Sequence, residues 1–503
     1  MSKKKKPTSE LTSDPVTAPG HGVLVRAANG DVIRYDSTGL VMRLSDKVIS
    51  DIAMRLNPAA RAQPAAMTAP GVAPRRADPH EHLEGIDAWD LRVEGDWLHF
   101  TAHLPGRQGV RGYRRLLDGG HILADAPGPL YGILGIGGPR AALAEPTRCA
   151  FPQHVLAPAD DIGAVGHAGV ERAAVTDSLE QLREMTHDAL VAEVLLGWQM
   201  DKYQALPLFC VRVETDGSAT AGDLAQSVAF DNMIAAAGNL ALAAARLGKK
   251  PKLLCITIDF ALEDMSGSAA QYRDGILALM TRAKQELGTL GFDDPLFVAR
   301  FESGSSEITT AAAIEGQWEL AWNHGDHRFV YAAPGYMFAH DDYDRPTDAA
   351  RREMAQMTAA AVSSDDPWRC PTFFLAEQSQ ADPRLIRVTA QAMSDLVIDA
   401  NDPLGAGDAA GFRLIGGGNG ATIASVRVDP DDPQALLITC DKAPEGDDLH
   451  LAYAYGAAPR PGAYPANCGA VRDEWCMTGE TGRGLHRWAL PSLLPVTQGA
   501  NDA

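Results

Sequence analysis

The sequence LYGILGIGG at residues 130–138 gives the first indication of the fold class. It is the first of four short apolar runs that alternate with segments of helical periodicity. Continuous apolar runs of this length are typical of strands buried on both faces, as in a parallel sheet. The alternation therefore predicts an α/β domain over residues 121–368. The other runs are LPLFCVRVE (206–214), PKLLCITIDF (251–260) and PLFVARFE (295–302), and the helical segments are 178–198, 233–250 and 271–291.

The two flanks of this domain lack the alternation. Residues 369–503 hold short apolar segments separated by Gly, Pro and Asp, which predicts a C-terminal antiparallel β-sandwich. Residues 1–60 combine a basic, polar arm with a hairpin signal at Asn29-Gly30 and a short helical pattern. Residues 61–120 begin as a linker rich in Pro and Ala and continue as a small β region.

Charge and cysteine usage exclude several classes of protein. The 503 residues carry a formal net charge of −20, which argues against a nucleic-acid binder and against attraction to anionic membranes. No run approaches the length of a membrane-spanning helix, and no apolar stretch follows the basic N-terminus as in a Sec signal. The seven scattered Cys indicate synthesis in a reducing cytoplasm, although Cys468 and Cys476 could pair.

Several short motifs suggest chemistry but are also explained by local structure. Ser178 stands at a predicted helix start, so capping is favoured over a role as nucleophile. The loop 216–223 could bind an anion, but a plain strand-to-helix connection is favoured. The histidine pairs at 80–82 and 324–327 are isolated, so we predict no metal site and no cofactor. The glycine cluster 416–420 predicts a hairpin turn.

Three blocks and a tail occur in an order that resembles a known family. The blocks are GILGIGGPRAALAEPTRCAFPQHVLAP (132–158), PKLLCITIDFALED with AAQYRDGILAL (251–279), and WNHGDHRFVYAAPGYMFAHDDYDRPTDAARREMA (322–355), and the tail runs from LHLAYAYG to LHRWALPSLLPV (449–496). This order is similar to that of SGNH-hydrolase-like proteins of phages and prophages, which are related to sialate O-acetylesterases. The resemblance implies a flavodoxin-like α/β domain with a parallel sheet.

The same resemblance implies that the catalytic triad of the family is degenerate here. It puts the serine nucleophile at Gly137, the histidine base at Arg345 and the aspartate at Asp342. Glycine has no hydroxyl group, and arginine stays protonated and cannot act as a general base. We therefore expect no catalytic residue at these positions, which should meet at the carboxyl edge of the sheet, with Arg345 in a partly buried ion pair beside Asp342 and Asp344. The alternative is an active carbohydrate O-acetylesterase with a relocated triad.

The resemblance also suggests a binding role. Aromatic rings stack on sugars, while carboxylates and guanidinium groups bind hydroxyl groups. The candidate ligand-binding residues are Asp342, Asp344, Arg345, Trp318, Trp322 and Tyr336. We expect a head spike or fibre protein of a gene transfer agent or related phage-like particle, at the particle surface after synthesis in the cytoplasm. Its expected partners are host capsular polysaccharide, a capsid or spike-base protein and further copies of itself. An intracellular binding protein without a particle role remains open.

Overall fold

A computed structural model describes residues 83, 85–145, 147–261 and 267–499, together with the backbone of three strands near the N-terminus. The chain forms two compact units, residues 1–76 and 77–503. The strands of the first unit are β1 (Gly22–Arg26), β2 (Val32–Asp36) and β3 (Gly39–Arg43). They form one antiparallel sheet in this order, so the predicted hairpin between β1 and β2 is confirmed. The predicted arm, the helix at 47–56, the linker 61–79 and the histidine pair at 80–82 lie outside the described residues.

The second unit begins with the predicted small β region. Its strands are β4 (Ala88–Glu94), β5 (Trp97–His103), β6 (Val110–Leu116) and β7 (Leu123–Ala124). All pairings in this sheet are antiparallel. Leu98, Phe100 and Tyr113 are buried in the same core as the central strands that follow, so this sheet packs on the α/β domain.

The central sheet has seven strands. They are β8 (Leu130–Gly137), β9 (Val155–Pro158), β10 (Leu179–Gln181), β11 (Leu208–Thr215), β12 (Pro251–Asp259), β13 (Leu296–Phe301) and β14 (Arg328–Pro334). Their spatial order is β10-β9-β11-β8-β12-β13-β14, and every pairing is parallel except that of β10 with β9. The five strands from β11 to β14 have the 2-1-3-4-5 order of flavodoxin-like folds, which confirms the predicted α/β class.

Six α-helices are described in this unit. They are α1 (His187–Asp201), α2 (Ala221–Leu224), α3 (Val228–Arg246), α4 (Ala269–Thr289), α5 (Ala312–Trp322) and α6 (Asp348–Ser363). Side-chain caps fix most of their starts, since an N-cap oxygen satisfies an amide that has no partner within the helix. Ser268 and Gln271 form a reciprocal capping box at α4, for example, and Thr347 caps α6.

The helix predicted at 178–198 begins late. Leu179–Gln181 forms the edge strand β10, because it pairs antiparallel with β9 and buries Leu179. Helix α1 starts only at His187, with Thr186 as its cap, so the capping role expected next to Ser178 is wrong. The hydroxyl of Ser178 instead accepts a hydrogen bond from Arg246, at 2.8 Å.

Contrary to the expectation that no run approaches the length of a membrane-spanning helix, one stretch of the described residues, Ala221–Arg246, is long and apolar enough to cross a membrane by length and composition. It comprises α2 and α3. Its side chains include Phe230, Met233 and Leu240, which are buried against the central sheet. This packing is that of a core helix, as is expected of the crossover helices in a doubly wound sheet.

The C-terminal part is rich in sheet, as predicted, and most of its pairings are antiparallel. Its strands are β15 (Thr372–Gln378), β16 (Leu385–Gln391), β17 (Leu396–Ile398), β18 (Phe412–Ile415), β19 (Ile423–Asp429), β20 (Asp432–Cys440), β21 (His450–Tyr453), β22 (Val471–Thr478), β23 (Gly484–Trp488) and β24 (Ser492–Gln498). They form a seven-stranded sheet, β18-β21-β24-β15-β16-β20-β19, and a three-stranded sheet, β17-β22-β23. The pairing of β15 with β24 is parallel.

One finer expectation for this part is wrong, and one pairing that the sequence left possible is not formed. The glycine cluster 416–420 is not a hairpin turn, because β18 and β19, which it connects, lie at opposite edges of their sheet. Cys468 and Cys476 do not pair: Cys468 is buried, Cys476 is exposed, and all seven cysteines are free.

Candidate functional site

A cleft opens at the carboxyl ends of the central strands, between the sheet and helices α1 and α6. This is the edge at which open α/β sheets bind their ligands. The cleft encloses about 60 Å³, which has room for a few water molecules or a group of the size of a carboxylate. The polar residues that line it are Arg140, His187, Asp188, Thr257, Asp259, Arg300, Arg351 and Thr358. We call it the carboxyl-end cleft.

Gly137 ends β8 next to this cleft and is buried. A Cβ atom at Gly137 would collide with the carbonyl oxygen of Asp259 and would lie 2.8 Å from the Cβ of Ala141. Residues Gly138 and Asp259 are joined there by a backbone hydrogen bond of 3.1 Å, so the neighbouring strand is held at this close distance. Serine therefore cannot replace Gly137 without a shift of backbone.

Two ion pairs hold the arginines on one side of the cleft. Arg140 donates to Glu302 at 2.6 Å, and Arg300 lies 3.4 Å from Asp259. Burial disfavours the ionised form of both carboxylates, yet the guanidinium groups outweigh it and hold the pKa of Asp259 and of Glu302 below the usual range. Glu302 is also the acceptor for the amides of Ser303 and Gly304. Both carboxylates are therefore ionised at neutral pH.

Arg351 on α6 has a different environment. It donates to two carbonyl oxygens, of Leu143 at 2.8 Å and of Met185 at 3.4 Å. No carboxylate of the described residues lies within ion-pair distance of its guanidinium group, and burial lowers its pKa. Since arginine stays protonated in proteins, Arg351 brings a positive charge to the cleft that no direct ion pair compensates.

Helix α1 contributes two titratable residues at its first turn. The ring of His187 lies 3.1 Å from the hydroxyl of Thr358, and burial lowers the pKa of His187 to about 4. The carboxylate of Asp188 accepts from the hydroxyl of Thr257 at 2.7 Å, and burial raises the pKa of Asp188 to about 7. At neutral pH the imidazole is neutral and Asp188 is partly protonated.

The chemical capacity of the cleft follows from these groups. Three guanidinium groups face it, against the ionised Asp259 and the partly protonated Asp188. Thr257 and Thr358 are the only hydroxyl side chains among the described residues that line it, and no cysteine lines it. The arrangement favours a small anionic group over covalent catalysis, because serine and cysteine are absent and Gly137 leaves no room for a nucleophile.

The loop that holds Asp342 and Arg345, which was expected to supply the rest of the triad, lies outside the carboxyl-end cleft. Asp342 and Arg345 are exposed and do not line the carboxyl-end cleft. The predicted ion pair of Arg345 is not formed with any described carboxylate; its guanidinium lies instead 6.0 Å from the ring centre of Tyr343. Local hydrogen bonds explain this, since the carboxylate of Asp341 accepts from the amides of Tyr343 and Arg345 and so closes the loop on itself.

Asp344 is the member of this loop with a defined partner. Its carboxylate accepts from the hydroxyl of Ser306 at 2.7 Å, and its φ of 56° lies in the left-handed region. His340, at the start of the loop, lies among Arg300, Glu302 and Asp344, and burial lowers its pKa to about 4. The sequence analysis did not single out His340, because it precedes by five residues the position at which the family has its histidine base, here Arg345.

The aromatic candidates lie in packed regions. Tyr336 is fully buried and donates to the carbonyl oxygen of Ala489 at 2.5 Å, so its predicted role in a ligand cleft is wrong. Trp318 and Trp322 lie on α5 against the C-terminal sheet: Trp318 donates to the carbonyl oxygen of Phe373, at 2.9 Å, and Trp322 packs edge to face on Phe374. Neither tryptophan lines the carboxyl-end cleft.

The remaining motifs have structural partners. The loop 216–223 leads into α2, whose capping box is formed by Thr220 and Asp223, as expected of a strand-to-helix connection. His324 and His327 lie together, with the Nδ1 of His324 2.9 Å from the carbonyl oxygen of His327. Among the described residues no group of three or more metal-ligating side chains is present.

Five chains of solved structures match this protein, and two of them are the following distant likenesses. No family model and no curated protein matches this chain. A carbohydrate acetylesterase from Xanthomonas citri is similar with a TM-score of 0.48 and 14% identity, over 79% of this chain and 95% of the other. A GDSL-like lipase from Parabacteroides merdae is similar with a TM-score of 0.28 and 14% identity, over 47% of this chain and 98% of the other. Both TM-scores are below 0.5, so the fold class rests on the strand order of the central sheet.

Proposed function

We propose that this protein binds a polysaccharide through its α/β domain and does not hydrolyse it. The close packing at Gly137 is the main support for this proposal, because it leaves no space for a nucleophile at the end of β8. The exposure of Asp342 and Arg345 adds to it, because neither reaches the cleft as an orienting acid or a base.

The charge of the carboxyl-end cleft suggests which part of a polysaccharide it accepts. A volume of about 60 Å³ is too small for a sugar ring but suits a substituent. Arg351 is placed to pair with an incoming anion, and guanidinium groups bind carboxylates through two parallel hydrogen bonds. The proposed ligand is therefore an acidic polysaccharide whose sugar carboxylates enter the cleft while the rings remain outside.

The biological setting follows from the family resemblance and the N-terminal layout. In this proposal the protein is a spike or fibre at the surface of a phage-like particle, made in the cytoplasm and present in several copies. Its polysaccharide is then part of the capsule of the host cell. Its N-terminal segment docks on a capsid or spike-base protein, since short polar segments can fold on binding.

A glycan array that compares acidic and neutral polysaccharides tests the binding. We expect the wild-type protein to retain acidic chains, and Arg351→Met to reduce their binding at least tenfold. Arg345→Met is the matched control, because it removes an exposed guanidinium group near the same helix. Unchanged binding by Arg351→Met, with circular dichroism that shows a folded protein, would place the ligand elsewhere. A loss with Arg345→Met alone would instead support the loop proposed from the sequence.

An esterase with a relocated triad is the second candidate, and one contact favours it. The hydroxyl of Thr358 and the ring of His187 are 3.1 Å apart, within the reach of a nucleophile and its base. Asp259 lies close enough to His187 to favour the charged imidazolium. Against this reading, Thr358 lies in the interior of helix α6, where the backbone amides are engaged in helical hydrogen bonds, and it is 5% exposed. Acetate release from acetylated polysaccharide separates the two candidates.

A further inference from the structure

A second cavity lies at a different place along the central sheet. It is bounded by the start of β5, the end of β6, the segment before β10 and the end of α3. Helix α3 leads into the start of β12, so one side of this cavity lies at the amino end of β12. Its other side lies at the sheet edge, where Ala159 and Leu179 line it beside the last residue of β9. Its volume of about 270 Å³ is more than four times that of the carboxyl-end cleft and has room for one sugar ring. We call it the amino-end groove.

One wall of the groove is aromatic. Trp97 lines it, and the guanidinium of the buried Arg114 lies 5.1 Å from the centre of the indole ring, which fixes the orientation of the ring. Among the described residues, the indole N–H of Trp97 has no hydrogen-bond partner. A fixed indole with a free donor is suited to stacking on a pyranose and binding one of its hydroxyl groups.

A second set of residues that line the groove is polar and already joined by hydrogen bonds. Arg246 donates to Asp177 at 2.5 Å and to the hydroxyl of Ser178 at 2.8 Å, and Ser178 in turn lies 3.2 Å from Asp177. These bonds hold the carboxylate and the hydroxyl in place while leaving further lone pairs for a ligand. Such preorganisation lowers the cost of ordering side chains when a ligand binds.

The floor of the groove adds two more polar groups. Asp118 is exposed, and within the described part of the chain its carboxylate has no hydrogen-bond or ion-pair partner. His121 also lines the groove; burial and the nearby Arg183 and Arg115 lower its pKa, so at neutral pH its ring can both donate and accept. With Asp177 paired to Arg246, the net charge of the groove is about −1, which disfavours an acidic ligand.

We infer that the amino-end groove is a binding subsite for a neutral pyranose, with Trp97 as its stacking platform and Asp118, His121, Asp177 and Ser178 as hydroxyl partners. It extends the proposed polysaccharide binding by a second site of different specificity. Neutral and acidic sugars of one chain would then be recognised at different places along the same sheet.

Saturation-transfer NMR with the methyl glycosides of glucose, galactose, mannose and N-acetylglucosamine tests the inference on the full chain. At least one glycoside should receive saturation on its ring protons. Trp97→Ala should weaken that binding at least tenfold, and Trp97→Phe, which keeps a smaller ring, should weaken it less. Trp89→Ala is the matched control, because Trp89 is 45% exposed on the adjacent strand β4 but does not line the groove.

The outcomes separate this inference from the proposed function. The subsite would be refuted if no glycoside received saturation, or if the wild-type protein and Trp97→Ala bound the glycosides equally well. This holds even if acidic polysaccharides bind. Arg351→Met should bind the glycosides as the wild-type protein does. Loss of glycoside binding in Arg351→Met would overturn the assignment to the groove, while glycoside binding at Trp97 without any polysaccharide binding would refute the proposed function alone.

Discussion

The carboxyl-end cleft and the amino-end groove lie at different places along the central sheet and differ in size, charge and side-chain type. The cleft is small and lined by three arginines, whereas the groove is larger and lined by Trp97 and a hydrogen-bonded Asp, Ser and Arg set. In the cleft the strands are packed so closely that glycine is required at 137. The edge at which open α/β sheets usually bind their ligands is here a tightly packed, charged pocket.

The largest effect on stability should come from Gly137→Ala. Its Cβ would meet backbone atoms of Asp259, which cannot move without disturbing β12, so we expect a loss of about 3 kcal/mol. Gly238→Ala is the control: Gly238 lies within α3 with nothing near its missing Cβ, and alanine there should add about 0.5 kcal/mol. Urea unfolding measures both. A Gly137→Ala protein as stable as the wild type would mean that the space for a nucleophile exists after all.

Arg140→Met should have the next largest effect. Glu302 is 5% exposed at its side chain and would lose its ion-pair partner, while it keeps the amides of Ser303 and Gly304. We expect a loss of about 2 kcal/mol, below the usual cost of a broken buried pair because those amides remain. Arg384→Met removes an exposed ion pair with Asp382 and should change stability far less, because solvent screens exposed charges. Equal costs for the two variants would show that the cleft is as well hydrated as the surface.

Asp188→Asn should change the pH dependence of stability. The folded pKa of Asp188, about 7, lies above its usual value of 3.8, so this group stabilises the fold most below about pH 4 and loses that contribution as the pH rises toward 7. Asparagine mimics the protonated form. The variant should therefore gain stability relative to the wild type between pH 5 and pH 8, by about 1–2 kcal/mol, and little at pH 4.

The free energies of unfolding of Asp188→Asn and of the wild-type protein, measured between pH 4 and pH 8, test the sign of this difference. Glu214 is also buried, and its pKa is raised to about 7, so some of the same trend should persist in the variant. His187 and His340 act in the opposite sense, because their pKa values of about 4 lie below the usual 6.5 and their contribution is lost as the pH falls through that interval. A difference between variant and wild type that does not change with pH would contradict the buried, partly protonated Asp188.

Part of this site could be predicted from the sequence. The apolar runs predicted the parallel strands, and the resemblance predicted Gly137 at a strand end. Asp259 and Arg300 end two of those runs, so their place at the carboxyl edge was also readable. The positions of three other lining residues could not be predicted, because these residues belong to helices whose orientation depends on the sheet they pack against. They are His187, Arg351 and Thr358.

The loop after β14 shows why the family register was not sufficient. Its position before α6 is as expected, but side-chain direction in a loop is set by local hydrogen bonds. Here Asp341 binds the loop's own amides and Asp344 binds Ser306, which leaves Asp342 and Arg345 exposed. The spacing of a motif cannot predict which of several neighbouring aspartates forms hydrogen bonds within the loop and which is exposed.

Acetate release from acetylated polysaccharide by the purified protein, measured beside a heat-denatured sample, is the most direct test of whether the protein hydrolyses its ligand. We predict no release above that control, because Gly137 leaves no space for a nucleophile at the end of β8 and Thr358 is buried within helix α6. Thr358→Ala and His187→Ala, run in parallel, should give the same blank result. Clear turnover by the wild-type protein that is lost in both variants would show that the protein is an esterase and would identify a relocated catalytic pair in the carboxyl-end cleft.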